Sequence, residues 1–264
     1  MNQQIRFLDN GTVTTVQGFQ AGATFAGMKT YAEDKLDIGI VYSTLPCVSG
    51  GVFTTNKIKS PSIVLTQDHV RLGAVRMVVA NSGIANTSVG KPGRTDAEEV
   101  VRLVSAQIEV PEDEVGFLST GIIGVELPMA LVRAALPKIQ LSSSGGTSFA
   151  RAIMTTDTHP KEAAISYDYG GRTVTIGGAA KGSGMIHPNM ATMLCTLAAD
   201  APVDAALLQQ TIKYAADRSF NMITIDGDSS TNDTVLLLAN GVAGGAVIDE
   251  GSEEAPLFQE ALTQ

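Results

Sequence analysis

Arg76-Met-Val-Val-Ala80, then Thr95 to Val110, then Val115-Gly-Phe-Leu-Ser119: within this one stretch the spacing of apolar side chains changes twice. The first and last runs are short, apolar and β-branched, bounded by turn-forming residues, and read as strands. Between them Val100, Val101, Val104 and Ile108 recur at the helical period, and Thr95-x-x-Glu98 makes a capping box that opens the helix. Strand, helix, strand in so short a span predicts an α/β fold in which sheets carry the site and helices cover them.

The same two periods continue outward. Leu36 to Tyr42 and Ser62 to Thr66 read as strands, and Pro128 to Leu136 as a helix closed by Pro137. Ser142 to Ser148 has loop composition. Ala163 to Tyr169 and Arg172 to Ile176 flank Gly170-Gly171, a hairpin pattern. Met193 to Ala198 and Thr234 to Ala239 read as strands, Asp204 to Arg218 as a helix, and Pro256 to Gln264 begins an amphipathic one.

Composition excludes partners rather than naming one. The 264 residues are 44% hydrophobic and 17% charged, enough for a sizeable buried core. Eighteen Lys and Arg against 27 Asp and Glu give a net charge of −9, with no basic stripe to meet nucleic-acid phosphates or an anionic membrane. Cys47 and Cys195 lie far apart and read as reduced core thiols. The first residues hold no apolar signal core, and no run approaches the roughly 20 apolar residues of a membrane span. The expected location is the cytoplasm.

The densest unusual segment is Gly177-Gly-Ala-Ala-Lys-Gly-Ser-Gly-Met-Ile-His-Pro-Asn-Met-Ala-Thr-Met-Leu194. A phosphate cradle would need the P-loop spacing, which is not met. Two readings stay open: a tight glycine-rich connection, or a self-processing threonine at Ala191-Thr192. In the second, the Thr192 hydroxyl attacks the preceding carbonyl, and cleavage frees an α-amine with an ordinary pKa of about 7.7–8, a base suited to its own hydroxyl. Asp226, Asp228 and Asp233 invite a calcium reading, but an EF-hand loop starting at Asp226 would need Gly and Glu where Thr231 and Leu237 stand. A polar turn that shapes the site fits better. His69, His159 and His187 are too scattered for a metal site, and none is expected.

Lys181 to Leu194 resembles the cleavage-site motif of the ornithine acetyltransferase (glutamate N-acetyltransferase) family of arginine biosynthesis. Four more segments resemble that family in the same order: Val79-Ala-Asn-Ser-Gly-Ile-Ala-Asn86, Ser119-Thr-Gly-Ile-Ile-Gly124, Ile153-Met-Thr-Thr-Asp-Thr-His-Pro-Lys161 and Asp226-Gly-Asp-Ser-Ser-Thr-Asn-Asp-Thr234. The resemblance implies a layered α/β sandwich of the type shared with self-cleaving aminopeptidases. It implies Thr192 as nucleophile, released by autocleavage between Ala191 and Thr192 into an α-chain segment 1–191 and a β-chain segment 192–264. It makes Thr120 and Gly121 the oxyanion pair, and Thr155 and Lys181 substrate contacts alongside Thr192.

The implied reaction is ping-pong acetyl transfer without a cofactor: N-acetyl-ornithine acetylates Thr192, ornithine leaves, and glutamate takes the acetyl group. Some family members also accept acetyl-CoA, and the implied assembly is an α2β2 heterotetramer. Family chains continue past the equivalent of Gln264 and there supply a substrate-contacting Glu and C-terminal polar residues, so the β-chain segment is expected to be shortened. The rival readings are a self-processing threonine amidohydrolase or aminopeptidase, in which water takes the acyl group, and an inactive fold that only binds an amino-acid-like ligand.

Overall fold

The structure is a computed structural model, and it describes residues 5–29, 32, 35–187 and 193–264. In chain order the elements are β1 (Arg6–Phe7), β2 (Phe19–Thr24), β3 (Ile38–Ser43), β4 (Val48–Phe53), α1 (Pro61–Leu72), β5 (Met77–Asn81) and α2 (Lys91–Ile108). They continue with β6 (Val115–Ser119), α3 (Met129–Ala135), α4 (Gly146–Ala152), β7 (Lys161–Tyr169), β8 (Arg172–Lys181), β9 (Leu194–Ala199), α5 (Ala205–Arg218), β10 (Thr234–Ala239) and α6 (Ala255–Thr263). One sheet has the order β1-β7-β8-β9-β10-β4, the other β2-β3-β5-β6. Within them β5 pairs parallel with β6, and β9 with β10; the remaining ladders are antiparallel.

Strand side chains alternate between two faces, and here both faces are buried. Val78, Ala80, Leu118, Leu194, Ala198, Leu236 and Leu238 share one core between the sheets. Met77, Val79, Val115 and Phe117 face the other way, onto Val100, Val101 and Val104 of α2 and Val132 of α3. Cys195, Val235 and Leu237 likewise face Leu208 and Ile212 of α5 and Phe258 of α6. The result is a four-layered α/β/β/α sandwich, as expected. Glu254, at the start of α6, is buried where it accepts from Tyr167 Oη at 3.0 Å and Arg172 Nη2 at 2.5 Å, tying α6 to the first sheet.

Four local expectations are corrected. Ser62 to Thr66 is not a strand but the first half of α1. Pro61 sits at the first helical position, Ile63, Thr66 and Val70 fall on one buried face, and Gly73 ends the helix at φ 80°. Tertiary packing there overrides β-branched propensity, and the Thr66 hydroxyl bonds back to Ser62 O at 2.9 Å. Helix α2 opens at Gly90–Lys91 rather than at Thr95, and Glu98 pairs with Arg94 instead of closing a capping box. The expected loop at Ser142 to Ser148 gives way to α4 at Gly146. The glycine-rich run begins inside β8, where a Cβ on Gly177 would lie 2.4 Å from Thr12 O. Close backbone approach, not turn formation, explains that glycine. Cys47 and Cys195 are buried and unbridged, and among the described residues no helix is long and apolar enough to cross a membrane.

Candidate active site

Several strands end on one cleft of about 460 Å³. The loops after the parallel pair β5 and β6 bring Gly83, Ala85 and Thr120 to Ile123; β8 delivers Lys181 as its last residue; the turn before β10 brings Ser230 to Asn232; and the loop after α4 brings Thr155 and Thr156. Loops following the carboxyl ends of parallel strands are where α/β sheets place their ligand sites. Four of the residues singled out from sequence, Thr120, Gly121, Thr155 and Lys181, therefore line a single cavity. Ala191 and Thr192 lie outside the described residues.

Thr120 and Gly121 are held by backbone alone. Thr120 N donates to Asn81 O at 3.1 Å and Ile122 N to Gly83 O at 3.0 Å, while Gly121 N–H and the Thr120 hydroxyl have no recorded acceptor among the described residues. Gly121 sits at φ 133°, and a Cβ there would lie 2.2 Å from Gly83 C, so only glycine fits. Two uncommitted donors fixed on neighbouring residues beside a cleft can receive a developing oxyanion. Asn232 locks this corner: its Nδ2 donates to Ala85 O and Ser119 O, both at 2.7 Å, and its Oδ1 accepts from Thr87 Oγ1 at 2.8 Å.

Lys181 is 97% buried, and among the described residues its ammonium has no hydrogen bond or ion pair; burial lowers its pKa to about 8, with Asp157 and Asp233 opposing. A carboxylate ligand would supply the missing counter-charge. Asp157 organises the surroundings. It accepts from Thr155 N at 3.2 Å, from Gly182 N at 2.9 Å and from Lys161 Nζ. Burial pushes its pKa up, but the Lys161 ammonium and the two amides outweigh that and hold it below the ordinary carboxylate value. This local bonding from Thr155 to Asp157 fixes the loop that brings Thr155 to the cleft.

The turn at Asp226 to Asp233 bonds to Met185 and Ile186 on one side of Thr192 in sequence and to Met193 on the other. Asp226 accepts from Met185 N at 2.6 Å and Ile186 N at 2.8 Å, which holds its carboxyl below the ordinary value. Asp233 is fully buried, accepts from Met193 N at 3.0 Å and leaves Oδ2 without a partner; burial raises its pKa to about 7. Asp226 and Asp233 thus spend carboxylate oxygens on backbone amides, and among the described residues no group of three or more metal-ligating side chains occurs.

The sequence reads Asp233 as part of a polar turn rather than a cation ligand, but not as a bond to Met193. Asn232 lies inside a motif segment, which is its only signal, and Lys29, which also lines the cleft, has none. A second cavity of about 510 Å³ lies on the outer face of the six-stranded sheet, between β7, β8 and α5. Its walls are mainly apolar, and burial pushes the thiol of its one cysteine, Cys195, up to about 12. The chemistry belongs to the smaller cleft.

The fold is a layered α/β sandwich whose strand ends bring Thr120, Gly121, Thr155 and a buried Lys181 to one cleft. The family model described as the ArgJ family matches residues 20–264, and the chain belongs to that family. It is 49% identical over 254 residues to the arginine biosynthesis bifunctional protein ArgJ of Symbiobacterium thermophilum, covering 96% of this chain and 63% of that protein. The chain thus spans less than two thirds of that relative's length. Among solved structures it resembles the arginine biosynthesis bifunctional protein ArgJ of Bacillus halodurans (TM-score 0.69, 36% identity). It also resembles the ornithine acetyltransferase of Mycobacterium tuberculosis complexed with ornithine (TM-score 0.64, 32% identity). Each match covers 72% of this chain and 100% of the solved chain.

Proposed function

We propose that this chain carries the acyl-transfer site of a glutamate N-acetyltransferase that moves acetyl from N-acetyl-ornithine to glutamate. Thr192 Oγ attacks the acetyl carbonyl and passes its proton to its own α-amine. Gly121 N–H and Thr120 Oγ–H receive the oxyanion, and each such donor is worth about 3–4 kcal/mol. The C–N bond breaks, and ornithine leaves with the proton. The glutamate α-amine then attacks the acetyl ester, and Thr192 regains its hydroxyl proton. Lys181 holds the substrate α-carboxylate and Thr155 orients it; no metal or organic cofactor enters these steps. Acetyl-CoA is an alternative donor in the same first step.

The observation that carries this reading is that Thr120 Oγ1 and Gly121 N–H, uncommitted, share one cleft with Thr155 and Lys181. Self-cleavage at Ala191–Thr192 divides the chain into segments 1–191 and 192–264. In support, 72% of 264 is about 190 residues, the length of solved family chains matched from end to end and close to the 191 residues ahead of Thr192. We place the enzyme in the cytoplasm as an α2β2 assembly. The test is incubation with acetyl-labelled N-acetyl-ornithine and glutamate. Label in N-acetylglutamate supports transfer; label released only as acetate favours a hydrolase, and no label transfer or release favours a ligand-binding fold.

A further inference from the structure

Within a chain of net charge −9, the described residues lining the cleft include two lysines, Lys29 and Lys181, and no carboxylate. Lys29 is delivered there by a purpose-built loop. The fully buried Asp37 carboxylate accepts the amides of Ala26 at 2.6 Å, Gly27 at 3.0 Å, Met28 at 2.7 Å and Lys29 at 3.2 Å, while Asp37 O takes Ser82 N at 2.9 Å. The Lys29 ammonium donates to Met154 O at 2.7 Å, next to Thr155. An ammonium has three donors, and the other two have no recorded acceptor among the described residues.

Lys29 and Lys181 also feel the same carboxylate, Asp157. Burial lowers the pKa of Lys29, with Asp37 and Asp157 pulling the other way. Two lysines around uncharged hydroxyl and amide donors, with no carboxylate among the described lining residues, make a site for a doubly anionic ligand.

We propose that Lys29 determines acceptor specificity: with Lys181 it makes the cleft selective for a dicarboxylic amino acid, Lys29 meeting the side-chain carboxylate. This rests on the reading that glutamate is the acceptor. The two lysines divide the work, Lys181 holding the carboxylate common to all amino acids and Lys29 reading the side chain. A side chain without a carboxylate makes no such contact with Lys29.

Isothermal titration of the chain with L-glutamate, L-glutamine and L-ornithine tests this. The wild-type chain is expected to prefer glutamate over glutamine by about 10- to 100-fold, the range for one charge-assisted contact. Lys29→Met brings that ratio to near one and leaves ornithine binding unchanged or tighter; Lys29→Arg restores most of the preference. A wild-type chain without preference, binding none of the three included, overturns the inference. So does a Lys29→Met chain that keeps the preference, or one that loses all three ligands alike, since a mere brace of Met154 would behave that way. Lys29-dependent glutamate preference without acetyl transfer would count against the proposed reaction alone.

Discussion

Asp233 accepts the amide of Met193 at 3.0 Å, so the carboxyl just ahead of β10 holds the residue that follows Thr192. Thr234 N closes the other side on Met193 O at 2.9 Å. Met193, the residue after Thr192 in sequence, is therefore fixed by a carboxyl 40 residues away.

Replacing that carboxyl has a signed consequence. Burial raises the Asp233 pKa from 3.8 to about 7, with Lys181 pulling the other way. Its proton is bound more tightly in the folded chain, so its contribution is fully present below pH 3.8 and is lost as pH rises through 7. Asp233→Asn keeps an oxygen for Met193 N and stays neutral. Calorimetry at pH 5 and pH 8 should show the variant gaining on the wild type at the higher pH. Asp233→Ala leaves Met193 N unsatisfied and should cost about 1–3 kcal/mol at pH 5, with a smaller deficit at pH 8, since alanine does not ionise either.

Thr120→Ala removes one oxyanion donor without disturbing the backbone bond of Thr120 N. Loss of kcat for acetyl transfer should be about 10²- to 10³-fold, with little change in thermal midpoint. Gly121→Ala places a Cβ against Gly83 and should lower the midpoint as well as kcat. Steady-state kinetics beside a melting curve separates the two variants.

Lys181 sets an alkaline limit. Its pKa, lowered by burial to about 8, makes the ammonium the main form at pH 7 and the neutral amine the main form at pH 9. Affinity for substrate carboxylates should hold below pH 7 and fall about tenfold per unit well above 8. Lys181→Met should bind weakly at every pH and lose that alkaline limb in a plot of KM against pH.

How far the sequence revealed this site depended on range. Val115 to Ser119 and Thr234 to Ala239 match their strands end to end, because alternation and length are local properties. Ser62 to Thr66 misled because its helix is held by Ile63 and Val70 packing between elements, which no local window contains. Thr120, Gly121, Thr155 and Lys181 were legible as motif positions, though not that the lysine would be buried. Lys29 reaches the cleft through Asp37 and Met154, the latter 125 residues away, and no spacing announces that.

The central claim is that Thr192 becomes an N-terminal nucleophile. Intact-mass measurement of freshly folded full-length protein tests it most directly. The account predicts two chains with the break between Ala191 and Thr192, and a single uncut chain for Thr192→Ala. A folded wild-type chain that remains whole would contradict it.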